Sequence, residues 1–409
     1  MKHLGAASGD PVSRAFRAAF VSLALLTAAS CAPVLGLDKS YYLVDEGGGG
    51  ASGIAGTAGD AFTIGGNDAG LAGADAGGGA GGLMFTIPKG KLVFERYSTY
   101  DAGDSQMFVV DFPAGDIGPD LGETYGLCSP LNGIFSPDGS HMVLGATPRG
   151  TGPCPELDRN KLELFILDLN NPGKKQQITN NQVPDEDAQY SPAGDFILFK
   201  HNGNLAYWVT GTKGFDEACS DPTSSFCFNH DYAAANETEQ SKPVTDGDLV
   251  CWGWGNSGDV TADIFCFHLA DGLANKDITA PDPTIRIPTV VHANLSDARP
   301  VIAPPYLYFT RWRAPSSHVN EVGRKLLSSL SGPETIAAFC TDPGTGYEDA
   351  FSLDGADLVV FSSNAYGVGK GDLFFGNFNQ PTGESVNDYA PGINTMSDEL
   401  GAAFWRAPP

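Results

Sequence analysis

One thirteen-residue pattern constrains this chain more than any other feature. Gly133-Ile-Phe-Ser-Pro-Asp-Gly-Ser-His-Met-Val-Leu-Gly145 returns as Ala188-Gln-Tyr-Ser-Pro-Ala-Gly-Asp-Phe-Ile-Leu-Phe-Lys200 and as Asp349-Ala-Phe-Ser-Leu-Asp-Gly-Ala-Asp-Leu-Val-Val-Phe361. Looser copies occupy Lys242–Trp252, Arg299–Phe309 and Asn394–Phe404, and the opening Phe85–Phe94 is a further candidate. Aligned on Ser136, Ser191, Thr245, Ala303, Ser352 and Ser397, the copies stand 55, 54, 58, 49 and 45 residues apart. Each copy reads as two short strands around a tight turn: Pro137 presets φ, and Asp138-Gly139 supplies side-chain capping and tolerance of positive φ.

A third strand follows most copies. Gln106–Phe112, Leu162–Leu169, Asn204–Val209, Asp263–Leu269 and Asp372–Phe378 are rich in aromatic and β-branched residues, and Lys325–Leu330 is a poorer example. A fourth, edge strand per unit is expected, as at Lys175-Gln-Gln-Ile-Thr179. No segment after residue 85 keeps a helical period. Four strands every 45–58 residues is the arithmetic of a β-propeller blade. The expected fold is therefore all-β, a propeller of four-stranded blades over residues 83–409. Six blades, with the two chain ends sharing one, is the first choice, and seven the second.

The Ser-Pro-Asp-Gly turn followed by an aliphatic-aromatic strand resembles the PD40 repeat of TolB-like propellers, a WD40-like group. The likeness spans most of residues 85–409 and is specific in the first two copies. It implies a non-enzymatic module that binds a protein partner at the cell envelope, although a fold does not fix a function.

The amino terminus says where such a module would sit. Lys2, His3, Arg14 and Arg17 precede the apolar run Ala18–Ala29, which is too short to span a bilayer and reads, over residues 1–30, as a signal peptide. Leu26-Thr-Ala-Ala-Ser-Cys31 resembles a bacterial lipobox, with Ala28 where that motif favours leucine. The resemblance implies a diacylglycerol on Cys31 and a membrane partner through that lipid. Ala32, not aspartate, follows the cysteine, which under the Gram-negative sorting rule implies the outer membrane. Residues 46–82 then hold 16 glycines in 37 positions, and residues 40–88 hold no lysine or arginine. Such a segment cannot offset its ordering entropy by burial. The reading for 31–82 is a disordered tether of roughly 30–40 Å r.m.s. span.

The net charge of −25, from 24 basic and 49 acidic residues, repels nucleic acid and anionic headgroups. In an exported chain cysteines pair. The spacing favours Cys219–Cys227 around a short loop, then Cys128–Cys154 and Cys251–Cys266, which leaves Cys340 over.

Chemistry is harder to find. There is no Gly-x-Ser-x-Gly elbow, P-loop, HExxH or EF-hand loop. His230, beside Asp231 in a long insertion at 212–240, is the best histidine candidate, and Trp312 between Arg311 and Arg313 is the best outward-facing aromatic for a ligand surface. Trp252-Gly-Trp254 reads as blade packing. Asp185-Glu-Asp187 and Asp246-Gly-Asp248 offer carboxylates to Ca²⁺ but read first as solvated turns. Two functions remain. One is a binding scaffold for a protein or glycan partner at a propeller face. The other is a hydrolase or lyase acting on a glycan or lactone through a metal or carboxylate pair at the channel mouth, which requires acidic or histidine side chains to converge there.

Overall fold

The computed structural model describes residues 85–98, 104–113, 115–154, 157–220, 227–230, 237–256, 262–274, 287–291, 295–312, 320–340, 346–364 and 371–408. The alternating apolar segments pair into six antiparallel sheets. In chain order the strands are β1 Gly90–Tyr97, β2 Gln106–Phe112, β3 Leu127–Phe135, β4 His141–Pro148, β5 Glu163–Asp168, β6 Lys175–Gln177, β7 Asp185–Tyr190, β8 Phe196–His201, β9 Asn204–Val209, β10 Cys227–His230, β11 Glu237–Thr245 and β12 Leu249–Asn256. They continue as β13 Ala262–His268, β14 Ile287–Val290, β15 Ser296–Ala303, β16 Tyr306–Trp312, β17 Asn320–Leu326, β18 Thr335–Ile336, β19 Tyr347–Ser352, β20 Leu358–Ser363, β21 Asp372–Asn377, β22 Gly383–Ser385 and β23 Asp398–Arg406.

Blades 2 to 6 are the sheets β3–β6, β7–β10, β11–β14, β15–β18 and β19–β22, each a four-stranded meander. Blade 1 closes the ring. The C-terminal β23 is its inner strand and pairs with the N-terminal β1, which pairs with β2, and Ile117 bridges to Val110 where a fourth strand would run. The Ala407 N–H donates to the Lys89 carbonyl at 2.9 Å beside this joint. The opening and closing repeat copies are thus two halves of one blade, which settles six blades over seven. It also corrects the phase of the last copy. Ser397 precedes β23, and Gly401–Phe404 is itself an inner strand rather than the strand after a turn.

Apolar side chains fill the spaces between blades. Phe94, Phe375 and Phe404 join blades 6 and 1, Met107, Leu144 and Phe165 join blades 1 and 2, and Trp252 with Phe267 packs blade 4 against blade 3. Each such side chain contributes about 1.5–3 kcal/mol of transfer free energy. Trp252 is fully buried, in keeping with a packing role. Helices are short: α1 Leu121–Tyr125, α2 Phe215–Cys219 and α3 Leu269–Ala274. No helix among the described residues is long and apolar enough to cross a membrane.

Two segments differ from their sequence reading. The 212–240 stretch is less an insertion than a blade edge: it carries α2, the outer strand β10 and the start of the inner strand β11. Asp185-Glu-Asp187 is no solvated turn. It opens the inner strand β7, and all three residues are buried. Asp246-Gly-Asp248 does form a turn, with Asp246 accepting the Asp248 and Leu249 N–H groups.

Candidate functional site

The six inner strands converge on the axis, and each carries one residue with left-handed backbone at the same height. These are Asn132 (φ 52°), Asp187 (58°), Lys242 (46°), Arg299 (53°), Asp349 (51°) and Gly401 (60°). At all six the pairing with the neighbouring strand shifts register: around Leu131/Ile134, Glu186/Gln189, Ser241/Val244, Ala298/Val301, Glu348/Phe351 and Leu400/Ala403. A bulge of this kind re-aims a side chain out of the sheet. Lysine, arginine and aspartate adopt positive φ at a cost of roughly 1–3 kcal/mol, and such strain gathers where structure serves function. All six residues line one cavity of about 70 Å³ on the axis.

Their charges are matched across the lumen. Arg299 Nη1 lies 2.6 Å from Asp349 Oδ2 and 3.0 Å from Glu348 Oε2. Lys242, in blade 4, reaches past blade 5 to place its Nζ 3.4 Å from Asp349 Oδ1 in blade 6. Asp187 accepts the Asn132 Nδ2 at 2.8 Å and the Lys242 backbone N–H at 3.2 Å. Behind it, Lys200 pairs with Glu186 at 2.7 Å. At the sixth position Gly401 has no side chain, and Glu95 fills the place from the second strand of the blade. A Cβ on Gly401 would fall 2.5 Å from Glu95 Oε1. Glu95 accepts the Asn132 N–H and the Tyr97 hydroxyl.

Burial governs the ionisation here. It pushes Glu95 up to about 7 despite the Tyr97 and Asn132 hydrogen bonds, and it pushes Glu348 up to about 7 despite Arg299. Burial opposes the charge on Asp349 as well, but Arg299 and Lys242 outweigh it and hold that carboxyl below its ordinary range. Acidic side chains therefore gather around the axial cavity. No group of three His, Cys, Asp or Glu residues close enough to hold a metal occurs among the described residues.

A second concavity of about 530 Å³ lies where the inner strands begin, between blades 1 and 2. Arg96, Gln106, Asp120, Ser129, Arg149 and the Cys128–Cys154 bridge border it. Arg96 is held by Glu399 at 2.8 Å, whereas Arg149 is exposed.

Of the four residues singled out for a ligand surface, Arg311 alone has its side chain among the described residues. Arg311 is buried rather than part of an exposed surface. Its guanidinium bonds Asp297 at 2.7 Å and Glu334 at 2.5 Å and lies over Phe309. The side chain of Trp312, and Arg313 altogether, lie outside the described residues, as does Cys31. His230 ends β10 opposite Leu205, and its side chain is likewise outside them. Cys128–Cys154 and Cys251–Cys266 are bridged, with Cα separations of 5.5 and 4.0 Å. The Cys219–Cys227 expectation rests on a Cys227 side chain outside the described residues, and Cys340 belongs to neither described bridge. The channel residues were missed, yet a signal existed. Asn132, Asp187, Lys242, Arg299 and Asp349 are polar residues three or four positions before the aligned Ser136, Ser191, Thr245, Ala303 and Ser352, and each is followed by glycine, alanine or proline.

No protein-family model matches the chain, and no curated protein sequence matches it. Solved structures do resemble it. TolB from Acinetobacter baumannii superposes with a TM-score of 0.53 at 13% identity over 77% of this chain and 66% of that one. Hydrazine synthase from Kuenenia stuttgartiensis gives 0.53 at 12% identity over 79% and 48%. The chain thus spans just under two thirds of the first relative and about half of the second. Similarity at this level carries the fold alone: the described residues form a six-bladed β-propeller of the architecture found in TolB.

Proposed function

We propose that this protein is a binding module of the cell envelope, held to a membrane by lipid on Cys31 and presenting the propeller end where the inner strands begin to a protein partner. The observation that carries this reading is the contrast between the two concavities. The axial cavity of about 70 Å³ is well below the ~300 Å³ at which small-molecule sites begin, and its charged groups engage one another. The cleft between blades 1 and 2, about 530 Å³, has mixed polar walls suited to a polypeptide segment. The resemblance to TolB-like propellers implies protein binding and supports the same choice. The net charge of −25 favours a partner with a basic contact surface.

The anchor rests on the lipobox-like Leu26–Cys31 and the glycine-rich 46–82 tether. Cys31→Ser should move the full-length protein from the membrane fraction to the soluble fraction. Retention in the membrane would remove the anchor from the account.

The competing reading, a hydrolase or lyase, has one observation in its favour: Glu95 and Glu348 are acids near pH 7 beside the lumen. Turnover of a glycan or lactone panel that is lost in Glu95→Gln would establish it in place of the binding role.

A further inference from the structure

Away from the channel, one buried carboxyl has half of its hydrogen-bonding capacity unmet. Glu163, the first residue of β5, is 5% exposed. Its Oε1 accepts the Asn181 N–H at 2.8 Å, the Thr179 hydroxyl lies beside the carboxyl, and Oε2 makes no hydrogen bond of its own. A buried polar atom left this way needs a physical reason.

The neighbours supply one. Asn181 Nδ2 donates to Asp185 Oδ2 at 2.8 Å and to Asp216 Oδ1 at 3.1 Å, and the Asn180 N–H reaches Asp216 Oδ2 at 2.6 Å. Asp185 faces His201 Nδ1 at 2.6 Å. Three carboxyls from three elements therefore surround one asparagine: Glu163 from blade 2, Asp185 from blade 3 and Asp216 from α2. Among the described residues none of the three is paired with a lysine or arginine. The Lys213–Glu217 pair, from just before α2 to its first turn, is exposed to solvent. α2 itself is moored to blade 2 by the Phe215 N–H to Ile178 carbonyl bond of 2.9 Å, and its Phe215 ring packs on Phe199 and His201 of blade 3. The acidic cluster thus sits where α2 clasps the seam between two blades.

We propose that this cluster is a proton-operated latch: with Glu163 neutral, α2 is held against the blade 2–blade 3 seam, and with Glu163 ionised, repulsion from Asp185 and Asp216 loosens it. Burial pushes Glu163 up to about 7. Thr179 and Asn181 favour its charged form, and Asp185 and Asp216 its neutral form. A carboxyl raised in the closed state stabilises that state most in acid and loses its effect as pH rises through about 7. The latch is therefore firm near pH 5 and loose near pH 8. It controls how tightly α2 is held to the seam, and it does not depend on the binding role.

Hydrogen exchange of the full-length protein, corrected for intrinsic rates, tests this over residues 178–183 and 214–220. The expected result is an opening equilibrium at least tenfold larger at pH 8 than at pH 5.5, and Glu163→Gln should keep both segments protected at both values. Asp216→Asn, a more exposed change that guards against misfolding of the first variant, should move the transition to lower pH. Three results would overturn the latch: wild-type protection that does not change with pH, the same pH dependence in Glu163→Gln, or recovery of protection at pH 8 on adding Ca²⁺ (which would make the cluster a cation site).

Discussion

The turn ends of the blades and the lining of the channel are built from the same six inner strands, yet they obey opposite rules. At the turn ends the repeat is used for packing. The left-handed Gly194 sits against Pro137 of the preceding blade, with a Cβ there falling 3.4 Å from the proline Cδ, and Gly247 stands in the same relation to Pro192 at 3.9 Å. Gly139 lies under the Trp405 ring of blade 1, whose Nε1 donates to the Pro137 carbonyl at 2.9 Å. At these three joints a turn glycine packs one blade on its neighbour. In the channel the backbone repeats and the side chains do not: Asn, Asp, Lys, Arg, Asp and Gly share one conformation and differ in charge. The lesson is that the repeat makes the fold, and the one column that departs from the repeat makes the molecule's interior individual.

The comparison breaks most sharply if a single channel pair is removed. Arg299→Ala leaves Glu348 and Asp349 buried without their nearest cation and should cost about 3–5 kcal/mol in urea unfolding. A loss under 1 kcal/mol would mean the ring is decoration.

The pH dependence of stability comes next. Glu95 and Glu348 are raised from 4.5 to about 7, so the folded state holds their protons more tightly than the unfolded chain. Their contribution is full below about pH 4.5 and is lost as pH rises through 7, by on the order of 3 kcal/mol per group at most. Asp349, held below its ordinary range, acts in the other direction and weakens the fold only in stronger acid. Glu95→Gln should flatten the urea midpoint between pH 5 and 8; an unchanged slope would place the titration elsewhere.

The turn ends offer a smaller contrast. Gly139→Ala forces a Cβ to 2.4 Å from Trp405 at φ +68° and should cost roughly 2–3 kcal/mol, whereas Gly211→Ala, at φ +73° with no atom near, should cost only about 1. Equal losses would show that backbone strain alone, and not the interlocked ring, fixes the turns. Least of all, Lys213→Ala removes an exposed i,i+4 pair with Glu217 and should change stability by under about 0.5 kcal/mol.

How much of this was legible in the sequence follows the same division. Blade number, strand identity and the shared terminal blade could be read because Ser-Pro-Asp-Gly turns and apolar strands are local signals, and β2, β9 and the start of β21 fall where the residues placed them. Blade 5 was misplaced: its third strand, Asn320–Leu326, carries Glu321, Arg324 and Lys325 in buried positions, so its polarity hid it. Asp185-Glu-Asp187 was misread for the same reason. Three acids in a row look solvated until Lys200 and His201 arrive from the neighbouring strand. Charge that is matched only in three dimensions leaves no mark in one.

The proposed partner surface is the end of the propeller where the inner strands begin, and not the turn end. A photo-crosslinking residue placed in the full-length protein at exposed Arg149, beside the blade 1–blade 2 cleft, or at exposed Ala193, on the opposite turn end, tests it directly in the cell envelope. A discrete protein adduct is expected from position 149 and none from 193. Adducts from 193 alone, or equal adducts from both positions, would contradict it.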